Sequence, residues 1–341
     1  MLGRHRGFIK HLKEAVPGVL TVHCVIHRQN LVAKNISGRL HDSLNTVIRA
    51  VNTIKARALN SRLFRQPCAD NNEEFEQLLL HTEVRWLSKG NCLRRFYSLL
   101  STVVEYFQDL DDSVSLELIN IKADIAYLSD ILMKFNEVNL QLINFVNLIK
   151  VKSTVLAVIS KLELYKRMSS WAFSISKPGW AWQRTRRTRW CMQEYCSHLH
   201  QLHKDMTRRF QDIFSLKVPE WVRDPQHESS LEGEGVLEEE LISLRNDIEL
   251  RPKLSNSYQD FWLQKAVREC YPAVWNKVRL YFIAFPISYL VKKGFSAVSQ
   301  LLCKQRNRLA VTNRGDLKLF LTALKPETEK LVSPHQAHPS H

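Results

Sequence analysis

The chain has 341 residues, 45% of them apolar, with only 10 Gly and 11 Pro, and its 49 Lys+Arg against 34 Asp+Glu leave a formal charge of +15. Two or three domains with real cores fit that length, and so few turn formers disfavour a sandwich or barrel. The charge points to polyanionic partners such as nucleic acid, and seven scattered cysteines without a CxxC pair exclude a disulfide framework or a four-cysteine zinc module.

Residues 3–16 are predicted as a short amphipathic helix with Phe8, Ile9 and Leu12 on one face, stopped by Pro17-Gly18. This basic N-terminus lacks the apolar core of a signal peptide, and no apolar run reaches the ~18 residues of a membrane span, so the expectation is a soluble intracellular chain without membrane contact. Val19–Val25 is the one strand the sequence predicts. A basic helix follows, with Leu40, Leu44, Val47, Val51 and Ile54 at helical spacing, and the first 65 residues hold twelve Lys/Arg against only Glu14 and Asp42.

A polar break at 69–72 precedes a short helix (Phe75, Leu78, Leu79) and the segment HTEVRWLSKGNCLRRF, which Leu93, Phe96, Leu100, Val103 and Phe107 continue as a helix. Next comes the clearest pattern in the chain. Ile121, Ile125, Leu128, Leu132, Phe135, Asn139, Leu142, Val146 and Ile149 alternate four and three apart, as coiled-coil seams do, with a polar Asn of the kind that fixes register. The spacing predicts a long helix, packed inside an intramolecular bundle ahead of a coiled-coil dimer.

Residues 171–190 (WAFSISKPGWAWQRTRRTRW) differ from their surroundings. Half of the eight Trp fall there, and no acidic residue occurs from Leu164 to Gln193. Aromatics beside arginines suit single-stranded nucleic acid, but no helical or strand period organises them, which favours an irregular basic loop. Helical character resumes near Met192, an acidic linker and helix cover 223–250, and an apolar, aromatic stretch runs on from Tyr258.

Candidate chemistry is sparse. Cys24-x-x-His27 is half a zinc site without local partners, and Cys196, His200 and His203 share one helix face, where surface placement is the commoner explanation. No P-loop, GxGxxG, HExxH or GxSxG occurs, so neither a metal, a cofactor nor a small-molecule substrate is expected.

Three stretches in order, HCVIHRQNL (23–31), TEVRWLSKGNCLRRF (82–96) and FPISYLVKKGFSAVSQLLCKQRNRL (285–309), resemble the hAT superfamily of DNA transposases, and most closely its domesticated, BED-zinc-finger-associated vertebrate derivatives. The resemblance implies a mainly α chain: a remnant of an RNase H-like core retaining about one strand, a large all-helical insertion, and a helical C-terminal dimerisation region. The implied domains are 1–65, the basic core remnant; 66–255, the helical insertion with the Trp-rich stretch 171–190; 256–330, the dimerisation region; and 331–341, a disordered tail.

The family's catalysis clamps two divalent metals between two Asp and one Glu. The matched segments begin downstream of where the family carries both Asp, and Lys292 stands at the degenerate Glu position, so the resemblance implies an inactive protein, N-terminally truncated and without the BED finger. Trp86 matches the family's Trp that handles a transposon-end base, with Arg85, Lys89, Arg94 and Arg95 as phosphate-compatible neighbours, and a Trp wedged between insertion helices fits the position equally well. Cys24 and His27 belong to the family motif without an assigned role. Phe261, Trp262, Trp275, Phe282 and Phe285 are the candidate dimerisation residues, which the resemblance places at an interface and which the fold could equally bury internally.

The expected function is a catalytically inactive, domesticated transposase-like protein acting in the nucleus, or otherwise in the cytoplasm, as a DNA-associated or protein-interaction module. Its expected partners are a second copy and weakly bound, sequence-nonspecific nucleic acid. The competing readings are a fold-compromised transposon relic and, needing additional N-terminal sequence, a metal-dependent nuclease.

Overall fold

The seam predicted over Ile121–Ile149 is buried within a single chain except at Ile121, which is half-buried, and at Val146, which lies outside the described residues. A computed structural model of the protein describes residues 8–16, 22–36, 38–79, 86–144, 147–168, 186–227, 235–250, 257–283, 289–302 and 316–322. In it α8 (Lys122–Asn144) buries Ile125, Leu128, Leu132, Phe135, Asn139 and Leu142. Its other faces are covered too, since Asp124, Tyr127, Ile131 and Asn136 are at most 5% exposed. A helix buried on several sides is the axis of a bundle. Val146 lies outside the described residues, and Ile149 belongs to α9 (Leu148–Met168).

Around α8 pack α2 (Val25–Ala33), α3 (Gly38–Lys55), α5 (Trp86–Ser98), α7 (Asp112–Asn120), α9 and α10 (Arg186–Arg209). The predicted face of α3 is the observed one, with Leu40, Leu44, Val47, Val51 and Ile54 all buried. Outside it lie α4 (Ala58–Asp70), which runs through residue 65, and α6 (Leu100–Leu110); α1 (Phe8–Ala15) precedes the bundle.

The described part of the strand expected over Val19–Val25 is not a strand. Residues 22–24 are irregular, Val25 opens α2, residues 19–21 lie outside the described ones, and no strand occurs among the described residues. β-branched residues favour strands only where a neighbouring strand can pair with the backbone. Here Val25 and Val32 are buried with Gln29, whose Nε2 donates to the Phe135 carbonyl of α8 at 3.0 Å, and a helix satisfies its own backbone.

A second core gathers the aromatics C-terminal to the bundle. It joins α12 (Glu220–Arg223), α13 (Gly235–Asn246), α14 (Tyr258–Trp262), α15 (Lys265–Cys270) and α16 (Pro272–Ile283) around Trp221, Phe261 and Trp262, with Ile149 of α9 among its members. Asn147 ties the two cores: its Nδ2 donates to Tyr258 Oη and Gln259 Oε1, both at 3.2 Å, while its Oδ1 accepts from the Lys150 backbone N–H at the start of α9. Between α10 and α12 lies α11 (Gln211–Ser215).

The chain divides into two units, residues 1–286 and 287–341. In the smaller one, α17 (Tyr289–Leu301) packs on α18 (Asp316–Leu321).

Candidate functional site

The motif HCVIHRQNL forms the start of α2 and fastens it. Arg28, 4% exposed, donates from Nη1 to the Arg209 carbonyl at 2.6 Å, pairs with Asp212, and lies over the Phe210 ring at 4.6 Å. The His23 and His27 rings meet edge to face with centroids 5.2 Å apart, and burial together with the nearby His27 and Arg28 holds the His23 pKa below its ordinary value. Cys24 is half-buried and His27 exposed. Among the described residues no group of three or more His, Cys, Asp or Glu could hold a metal ion, and this includes Cys196, His200 and His203 of α10. His203 approaches Glu163 at 3.9 Å instead.

The segment TEVRWLSKGNCLRRF becomes α5 from Trp86 onward. Gly90 faces α8 so closely that a Cβ there would stand 2.5 Å from Asn136 Nδ2 and 3.2 Å from the Leu132 backbone carbon. The Cys92 thiol donates to the Leu79 carbonyl at 3.1 Å, and burial pushes its pKa up to about 11. Arg95 stacks on Phe75 at 3.4 Å and donates to the Gln77 carbonyl. Of the five residues expected at a nucleic-acid surface, Arg85 and the Trp86 side chain lie outside the described set, Lys89 is half-buried, Arg95 is occupied by Phe75, and Arg94 is exposed to solvent. Much of this motif's regularity therefore serves the α5–α8 contact.

A buried polar centre that sequence reasoning missed lies where α3, α8 and α10 meet. Asp124, 3% exposed, accepts from Arg39 Nη2 (2.7 Å), Ser43 Oγ (2.8 Å) and Tyr195 Oη (2.7 Å). Tyr195 stacks on Tyr127 with centroids 4.3 Å apart, and the Tyr127 hydroxyl meets His198 Nδ1 at 2.7 Å. Burial lowers His198 to about 4, so the ring is neutral at pH 7, and burial raises the Tyr127 pKa well above 10. Helical spacing does put Tyr195, His198 and Leu202 on one face, but nothing in the sequence marks His198 rather than His200 or His203 as the buried one. With every group neutral or paired, the centre selects one helix arrangement and offers no accessible reactive atom.

Between α8 and α9 runs a groove of about 360 Å³, floored by Ile131, Phe135, Val158 and Leu162 and edged by Lys134 and Lys161. Its volume falls in the range of ligand pockets.

Phe261 and Trp262, expected at a dimer interface, are 1% and 0% exposed within one chain, and Trp262 Nε1–H donates to the Val222 carbonyl at 2.8 Å. Within the single chain they fill its own core. Trp275 and Phe282 are half-buried against that core. Phe285, the Lys292 side chain, residues 171–185 of the Trp-rich stretch and the side chains of its residues 186–190 lie outside the described residues.

Among the described residues the fold is a helical bundle with a buried polar centre. Residues 23–170, somewhat less than half of the chain, match the FAM200-GTF2IRD2-like family model, described as the FAM200/GTF2IRD2 helical domain. The matched stretch begins at the HCVIHRQNL motif and takes in α2 to α9. No solved structure matches the chain.

Proposed function

We propose that this is a catalytically inactive protein of hAT transposase descent that acts in the nucleus as a DNA-associated or protein-interaction module. The observation that carries the reading is the match of residues 23–170 to a transposase-related helical domain, in a chain whose first 65 residues bear ten net positive charges from twelve Lys/Arg and two acids. Lys292, where the resembled family has its metal-binding Glu, supports inactivity, because a cation repels the divalent ions that phosphodiester chemistry requires. Hydrogen bonding of Asp124 to three separate side chains supports a chain that folds as a unit over a fold-compromised relic.

Nucleic acid is bound through phosphate contacts without base reading, and Arg94 together with the run Arg184, Arg186, Arg187 and Arg189 contributes to it. The test is a salt titration of the full chain on mixed-sequence duplex DNA. Affinity should fall steeply with salt, and changing those five arginines to Gln should flatten the slope of log K against log salt by several units. With Mg²⁺ or Mn²⁺ the protein should neither nick nor join the duplex. Tight, salt-insensitive, sequence-selective binding, or metal-dependent strand transfer lost on mutating one acidic residue, would overturn the proposal.

The protein-interaction arm rests on the α8–α9 groove, whose apolar floor suits a partner's side chain. Self-association through the C-terminal region would use Trp275 and Phe282, since Phe261 and Trp262 are committed to the core.

A further inference from the structure

Two helices of the matched domain carry exposed apolar stripes of opposite charge. On α4, Leu59 and Leu63 are 59% and 53% exposed, and with Arg62 and Gln66 they stand at i, i+3, i+4 and i+7, one face of the helix. Arg65 borders that face and Arg57 precedes the helix as its N-cap. The one acid of the helix, Asp70, ends it on the same face and accepts from Gln66 Nε2 at 3.0 Å, and none of the three arginines has an ion-pair partner among the described residues. On α7, Asp112, Leu116 and Ile119 share the face i, i+4, i+7, with both apolar side chains at least 50% exposed. Leu110, 54% exposed, and the exposed Asp109 and Asp111 extend it, and residues 109–120 include no Lys or Arg. Asp109 and Asp112 likewise lack an ion-pair partner among the described residues, whereas Asp111 caps α7 through the Ser113 N–H. Both helices rest on the same pair, α3 and α6, so the two faces are held in a fixed relation.

We infer that the α4 and α7 faces are the two halves of one self-association surface, α4 of one copy docking on α7 of a second. The occupant is argued from complementarity: the basic apolar stripe and the acidic apolar stripe each supply what the other lacks, and any solution of the protein contains both in equal amounts. Nucleic acid could pair with α4 but leaves the acidic Leu110–Leu116–Ile119 surface uncovered, so a second copy accounts for more of what is exposed. This surface uses residues other than those of the C-terminal region.

Sedimentation velocity on the full chain over a dilution series, at low and moderate salt, provides the test. The protein should associate, and added salt should weaken the complex. Arg62→Glu with Arg65→Glu, and separately Asp109→Lys with Asp112→Lys, should each weaken association about tenfold or more, with an unchanged far-UV spectrum. Mixed in equal amounts, the two variants should associate again, because each then meets an oppositely charged face. The milder Arg62→Gln with Arg65→Gln pair gives the same direction should the Glu pair fail to fold. A wild-type chain that stays monomeric at high micromolar concentration overturns the inference, as does a mixture that does not recover. Loss of DNA binding by the α4 variant with self-association intact would assign that face to nucleic acid instead.

Discussion

Gly90 of α5 and Asn136 of α8 approach so closely that no side chain fits between them: a Cβ on Gly90 would lie 2.5 Å from Asn136 Nδ2, and Asn136 is 5% exposed. Alanine normally improves a helix interior over glycine by about 1 kcal/mol. Here the buried amide and the Leu132 backbone must shift, and such overpacking costs about 1–3 kcal/mol. Gly90→Ala should therefore destabilise the protein by up to about 2 kcal/mol net, read from the denaturant midpoint. Gly235→Ala, where no heavy atom lies within 4 Å, should be neutral or slightly stabilising. Equal behaviour of the two variants would remove the claim of close packing.

Burial holds His198 at about 4, against 6.5 for an unperturbed histidine. Between those values the unfolded chain binds more protons than the folded one, so stability rises with pH through that window and falls as pH drops from 6.5 towards 4. The full shift corresponds to about 3 kcal/mol. His198→Gln should flatten this part of the stability–pH curve, as measured by denaturation at half-unit pH steps. A curve of unchanged steepness would mean that His198 charges without difficulty in the folded state.

Trp262 separates a core role from an interface role. Fully buried and bonded to the Val222 carbonyl, it should cost about 3–5 kcal/mol when changed to Ala, with loss of the near-UV signal of the α12–α16 core. Trp275→Ala, at a half-buried position, should cost less. A folded Trp262→Ala monomer arising from a wild-type dimer would contradict the internal assignment.

Asp124 anchors α3 and α10 to α8. Removing it as Asp124→Ala takes away the acceptor of Ser43 Oγ, Tyr195 Oη and Arg39 Nη2, and the Arg39 side chain, 36% exposed, can partly turn to water. The expected loss is about 2–3 kcal/mol, below the 3–5 of a fully buried broken pair. Arg39→Met in the Asp124→Ala background should recover part of it. No recovery in that double-mutant comparison would mean that Ser43 and Tyr195, not the ion pair, carry the contribution of Asp124.

Periodicity alone determined that the chain is mainly helical and that Leu40–Ile54 of α3 and Ile125–Leu142 of α8 turn inward, because the 3.6-residue repeat is local information. Only the tertiary structure decided what those faces meet. Asn139, read from its spacing as a register residue, lies near Asn30 of α2, with Nδ2 3.4 Å from Oδ1, inside one chain. Val19–Val25 has strand composition, yet its described part is irregular before Val25 enters a helix, since strand propensity needs a neighbouring strand. The aromatics from Phe261 to Trp275 fit an interface and a core equally well by composition, and packing on Trp221 and Val222, some forty residues away, made Phe261 and Trp262 core. The centre of Asp124, Tyr127, Tyr195 and His198 was illegible for the same reason. Its members come from α8 and α10, about seventy residues apart, and a polar side chain announces its burial only through the partner that satisfies it.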